Sequence, residues 1–242
     1  MSKKINTLLG AAALIAGSSF ITAAVVGGGP EKGDHANHGG PDMDAMMGLW
    51  MDYMTPGDEH KELARFVGHW EMKTKMRTDP NTPAQESMNK VVVKPVLGGR
   101  FFVEHVYGEP DGMMPGRTFE GMNLMGYDKH RKQYTFAWAD NMSTGIFTGL
   151  GSANADGSVI TYMGEAPDLL NPGAMKPVKS VARIIDHDNH EFEMWEINES
   201  GDWWKSFEGT YTRIKDGNDM NDMKKMKDMK NMKGHDHGKS MR

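Results

Sequence analysis

The sequence predicts an all-β chain: a closed, antiparallel up-and-down β-barrel of about ten strands, preceded by one short helix. Three observations carry this. Between Trp70 and Ile214 about ten short runs of β-forming residues alternate with clusters of turn residues. No convincing helical period interrupts them. Strands in that number and order normally close first to last, because closure removes exposed edges. A small closed barrel is a container, so binding is the expected role.

The ends of the chain are read separately. Residues 1–28 open on Met1-Ser2-Lys3-Lys4 and continue in an uncharged, small-residue run from Ile5 to Val26, with Thr22-Ala23-Ala24 at a peptidase-compatible position. This predicts a signal peptide, and hence an exported, periplasmic or secreted protein with no stable membrane span after cleavage. The alternative is an uncleaved anchor, since the run comes close to bilayer length. The chain has no Cys, which excludes thiol catalysis, thiolate metal sites and disulfide staples. Stability must come from a packed core of about 155 residues, enough for one domain.

Residues 29–57 are Gly-, Pro-, His- and Met-rich and read as a disordered linker. Residues 58–214 form the barrel. Glu59 to Phe66 has an acidic start and a basic last turn, the pattern of a short helix whose Leu63, Phe66 and Val67 cover one mouth. Trp70 to Arg77 alternates Trp70, Met72, Thr74 and Met76 against Glu71, Lys73, Lys75 and Arg77, one face inward and one in water. Met88–Val96 reverses at Gly98-Gly99 into Arg100–Tyr107. Further strands are expected at 117–127, 133–140, 144–150, 158–164, 178–186, 190–197 and 203–214, joined by Asp-, Asn- and Gly-rich turns. The loops at 108–116 and 165–177 are long enough to act as lids. Residues 215–242 read as a disordered Met-, Lys- and His-rich tail.

Gly68-x-Trp70 on the first strand and an Arg ending the last are similar to the closure of calycin, or lipocalin-like, barrels. Gly98-Gly99-Arg100-Phe101, Gly126-Tyr127-Asp128, Trp138-x-Asp140 and Tyr211-x-Arg213 more narrowly resemble an uncharacterised family of exported bacterial calycin-like proteins known as a domain of unknown function. The resemblance covers about residues 58 to 214. It implies the fold, with Trp70 across the barrel floor and Arg213 on its ring, and brings no activity, cofactor or catalytic residue. A guanidinium over an indole contributes about 0.5–2 kcal/mol, so this pair serves closure.

With Phe101 taken as inward, Val103, His105 and Tyr107 share its face, and His105 becomes a luminal imidazole. The expected ligand-binding residues are therefore His105, Met72, Met76, Phe101, Phe136 and Trp138, a mostly apolar, Met-lined lumen. Glu196 and Glu208 are expected to face water. No nucleophile elbow, zincin, P-loop or dinucleotide motif is present, which favours a binding protein over an enzyme.

The flanks carry a different chemistry. Met220, Met223, Met226, Met229 and Met232 recur every third residue, followed by His235 and His237; the other flank holds His35, His38, Met43, Met46, Met47, Met51 and Met54. Thioether sulfur favours Cu(I) and imidazole suits Cu(II), so these residues point to copper capture. The net charge is −5; the tail from Lys215 has eight Lys/Arg against five Asp, leaving an acidic barrel poorly suited to nucleic acid. The expectation is a monomeric, exported barrel holding a small apolar ligand, with metal-binding flanks. Its rivals are a haem-binding or enzymatic barrel using His105, and a fully packed envelope protein without a ligand.

Overall fold

The computed structural model describes residues 42–109, 118–168 and 171–215. Two helices come first, α1 (Met43–Met54) and α2 (Asp58–Ala64). Ten strands follow: β1 (Gly68–Met76), β2 (Gln85–Val96), β3 (Phe101–Gly108), β4 (Glu120–Asp128), β5 (Gln133–Asp140), β6 (Phe147–Ala153), β7 (Val159–Pro167), β8 (Met175–Ile184), β9 (Asn189–Ile197) and β10 (Trp203–Arg213). They form one closed barrel in sequence order, every neighbour antiparallel, with β10 returning to β1. Trp70 lies opposite Arg213, Met72 opposite Tyr211 and Met76 opposite Phe207. The predicted closure is therefore the observed one.

The alternation read in β1 holds: Trp70, Met72 and Thr74 are buried between exposed Glu71 and Lys73. The register carries this inward set around the wall through Val91 and Asn89 on β2, Tyr134 and Phe136 on β5, Ile160 and Tyr162 on β7, and Tyr211 on β10. A bulge between Lys205 and Phe207 lets Ser206 turn inward as well. Strands β7 and β8 pair further than the sequence suggests, so the two ends of the expected lid at 165–177, residues 165–167 and 175–177, are ladder. Residues 110–116 of the other expected lid lie outside the described residues.

Helix α2 lies over one end. Leu63 is completely buried and Phe66 nearly so, packed with Trp70, Val91, Val93 and Phe102. Helix α1 corrects part of the linker reading: Met, Ala and Leu are strong helix formers, Asp44 sits in the first turn, and Pro56 follows its end. None of its residues is buried. It is held at the β4–β5 turn, where Lys129 Nζ donates to Asp52 Oδ1 (2.7 Å) and His130 meets Tyr53 edge-on. No described helix is long and apolar enough to cross a membrane.

Candidate functional site in the barrel lumen

The end beneath α2 is a sealed floor. Arg213 Cζ sits 4.0 Å from the centre of the Trp70 ring. Its Nη1 donates to Val67 O (2.7 Å), Nη2 to Arg65 O (3.1 Å) and Nε to His187 O (2.9 Å). One guanidinium thus satisfies carbonyls left open at the end of α2 and ties them to the β8–β9 turn. Trp70 Nε1 donates to Phe66 O at 2.8 Å. Gly68, with φ +143°, is required here, because a Cβ would overlap Arg213 Nη1. That is the physical content of the Gly-x-Trp pattern.

His190 completes the floor. Its ring stacks on Tyr211 at 4.0 Å and meets Trp70 and Phe66 edge-on at 4.3 and 5.0 Å. Burial, and then the charge of Arg213, push its pKa down to about 3, so the imidazole is neutral. Its Nδ1 has no hydrogen-bond partner among the described residues.

Deeper in the wall lies Glu104, on the inward face of β3 between Phe102 and Val106. Asn123 Nδ2 donates to Oε2 (3.2 Å) and the Tyr211 hydroxyl donates to Oε1 (3.4 Å). Both partners are neutral. Burial raises the carboxyl pKa above its ordinary value, and the two hydrogen bonds only partly offset this. Burial above all, with a smaller contribution from the Glu104 carboxylate, pushes the phenols of Tyr211 and Tyr162 up. Asn123 Oδ1 and Ser180 Oγ, both buried, have no hydrogen-bond partner among the described residues. On β1 and β2, Thr74 Oγ1 shares a hydrogen bond with Ser87 Oγ (2.6 Å) and accepts one from Asn89 (3.3 Å).

The opposite end, the mouth, is less deeply buried. Trp138, Phe147, Met194, Glu196 and Trp204 take inward register positions there and are half-buried. Trp138 stacks on Phe119 and donates from Nε1 to Asp140 Oδ2 (2.8 Å). Gly121 and Gly164 make the space: a Cβ on the first would strike Trp138, and on the second Phe147. Lys176 and Glu196 pair across the rim at 2.6 Å. Glu196 is thus inward in register, whereas Glu208 faces out beside Lys205 and Lys75.

Of the residues expected to bind ligand, Met72 and Phe136 are buried in the lumen, and Met76 and Trp138 are inward and half-buried. Phe101 and His105 are corrected. Burial on β3 alternates through Phe102, Glu104, Val106 and Gly108, so Phe101 and His105 point outward, and His105 stacks on Tyr107 outside. The cause is a one-residue parity shift. The turn runs through a short 3-10 segment, Leu97–Gly99, and both faces of β3 are largely apolar, so composition does not tell which of them is inward. A luminal role for His105 ends with this. The closure pair Trp70–Arg213 stands as read. The metal candidates Met220, Met223, Met226, Met229, Met232, His235 and His237 lie outside the described residues. Glu104, Asn123, Tyr211 and His190 were missed; Glu104 as the one acid inside an apolar run, and Tyr211 within the closing motif, were the available signals.

Solved structures give the following similarities. A protein from Mycobacterium tuberculosis, Rv2717c, aligns at 15% identity with a TM-score of 0.47, covering 66% of this chain and all of its own. A redesigned β-barrel aligns at 14% identity and 0.32, covering 63% and 94%. A Nostoc punctiforme protein of unknown function from the DUF3598 family aligns at 7% and 0.21, covering 66% and 100%. The barrel assignment rests on the strand pairing itself and not on these neighbours. No curated protein matches the chain. The family model described as "Protein of unknown function (DUF1579)" matches residues 55–213, the two helices' junction through the last strand, and the chain belongs to that family.

Proposed function

We propose that this protein is a binding barrel that holds a small, largely apolar molecule, its body among the half-buried mouth residues and a hydrogen-bond-donating tip at Glu104. The observation that carries this is the buried Glu104 carboxyl held by two neutral partners, beside Asn123 Oδ1, which has no partner among the described residues. Burying a carboxyl without a cation costs several kcal/mol, a cost that a ligand donor offsets. Trp138, Phe147 and Met194 supply apolar, adaptable surface toward the mouth. The test is native mass spectrometry of protein purified from its own source. A retained organic mass that is lost or weakened in Glu104→Gln supports the reading; a bare chain mass in both overturns it.

The same reading places the chain outside the cytoplasm, on the strength of the basic start and uncharged run at 1–28. N-terminal sequencing of the mature protein checks this, with a start near residue 25 expected. The Met- and His-rich flanks then add soft ligands for copper. Titration with Cu(I) should show uptake by the whole chain and little by a chain lacking 30–54 and 215–242; equal uptake rules the flanks out.

A further inference from the structure

We propose that the uncharged outer face of β3–β7 binds a second copy of this chain, giving a two-fold dimer. The outside of the barrel divides into two unlike halves. On β1, β2 and β8–β10 the outward positions carry Glu71, Lys73, Lys90, Arg183, Glu193 and Lys205, several of them in ion pairs. On β3–β7 the outward positions are apolar or neutral, and charge appears only near strand ends, at Glu120, Asp128 and Glu165.

On this face Met122, Leu124, Leu150 and Met163 are 39–47% exposed, with Ala137 between them; Val103 and Met163 mark its edges, where Lys94 and Lys179 of the next strands begin the charged half. With strands about 4.8 Å apart and outward positions about 7 Å apart along each, the face covers roughly 400 Å². That is the size of the largest apolar patch a monomer ordinarily leaves in water. Further exposed apolar residues lie beyond both ends of the strands, those at the α1 end next to the charged turn of Lys129, Arg131 and Lys132. Met142 and Ile146 are exposed at the mouth end between β5 and β6, and Trp50 and Tyr53 of α1 are exposed beside the β4–β5 turn. Together these approach the roughly 500 Å² per copy that a minimal specific contact needs.

The occupant follows from charge. A partner surface must itself be free of charge, since every Lys or Glu set against this face would be buried unpaired. The molecule carries such a surface in this same face, and a two-fold axis through it sets the patch against itself. A membrane-spanning barrel is excluded, because the other half of the circumference would put Lys73, Lys90 and Glu193 into lipid. The sequence reading expects a monomer; this face emerges only when the outward residues of five strands are set side by side.

Sedimentation velocity of the full chain, from about 1 to 100 μM, tests the proposal, the range set by the micromolar affinity such an area supports. The expected result is a species of about 54 kDa, twice the 26.9 kDa chain, whose dissociation constant rises at least about tenfold in Leu124→Glu/Leu150→Glu. Because the chain has no Cys, a second measurement avoids the risk of misfolding. Leu124→Cys should form an intermolecular disulfide under mild oxidation, and Thr212→Cys, exposed on the charged half, should not. A monomer across the whole range overturns the proposal. So does a dimer indifferent to the Glu pair, equal cross-linking at both Cys positions, or sedimentation with phosphatidylcholine vesicles in place of self-association.

Discussion

The two ends of this barrel are built on opposite principles. At the floor, Leu63, Phe66, Trp70 and His190 are buried, and Arg213 satisfies three carbonyls at once. At the mouth, residues of the same chemical kinds, Trp138, Phe147, Trp204 and Met194, are only half-buried, and glycines hold the wall back from two of them. Aromatic residues alone therefore do not say whether a barrel end is closed. What distinguishes the floor is a cation placed to collect open carbonyls, and a helix laid across it. The floor serves stability, and at the other end the same residue types keep part of their surface in water.

The contrast is sharpest if Arg213 is removed. Arg213→Ala leaves three carbonyls without their donor and uncovers the Trp70 ring, and should cost about 3–5 kcal/mol in urea unfolding. A loss below about 1 kcal/mol would show that α2 and closure do not depend on this residue. Next comes pH. An unfolded histidine takes up a proton near 6.5, whereas His190 resists it down to about 3. The stability linked to it is complete above pH 6.5 and is lost as pH falls toward 3, roughly 3 kcal/mol by pH 4. His190→Phe should flatten the profile in that window; an unchanged acid limb breaks the assignment.

At the mouth the expected balance reverses. Trp138→Ala should lower stability by only about 2 kcal/mol, because the ring is half in water, yet weaken ligand retention about tenfold. A loss as large as that at Arg213 would erase the distinction between the ends. The smallest effect is expected at Glu104. Its raised pKa gives stability that is full below its ordinary 4.5 and falls as pH rises through the folded value, the reverse of His190. Glu104→Gln should remove that decline and melt at or slightly above wild type at pH 8. A lower melting point at pH 8 than at pH 5 for this variant would refute it.

Closure was legible because ten alternating runs and a Trp–Arg pair at the first and last strands constrain each other. The ten strands lie within a few residues of their expected positions for the same reason: Asn, Asp and Gly turns separate them cleanly. The inward parity of β3 was not legible. Phe101, Val103, His105 and Tyr107 look like a core face, but they lie outside, next to the uncharged patch, and a sequence does not distinguish a lumen from an exposed apolar exterior. Glu104 shares the face opposite Phe101, so taking Phe101 as inward set it aside. Helix α1 was missed because Met- and Gly-rich composition resembles a linker, although Met itself favours helix. The polar cluster required the register of β3, β4 and β10 together, with Glu104 and Tyr211 107 positions apart.

First-to-last pairing also fixes where the polypeptide enters and leaves the sheet. Ile214 N donates to His69 O at 2.9 Å, so the two crossing points are immediate neighbours, on the side away from the rim formed by Trp138 and Glu196. A short peptide joining them, with a new opening cut in a rim loop such as 198–202, should preserve the ladder. The same layout means that a tether fused at either crossing point would hold the molecule by its base and leave its entrance pointing away from the support.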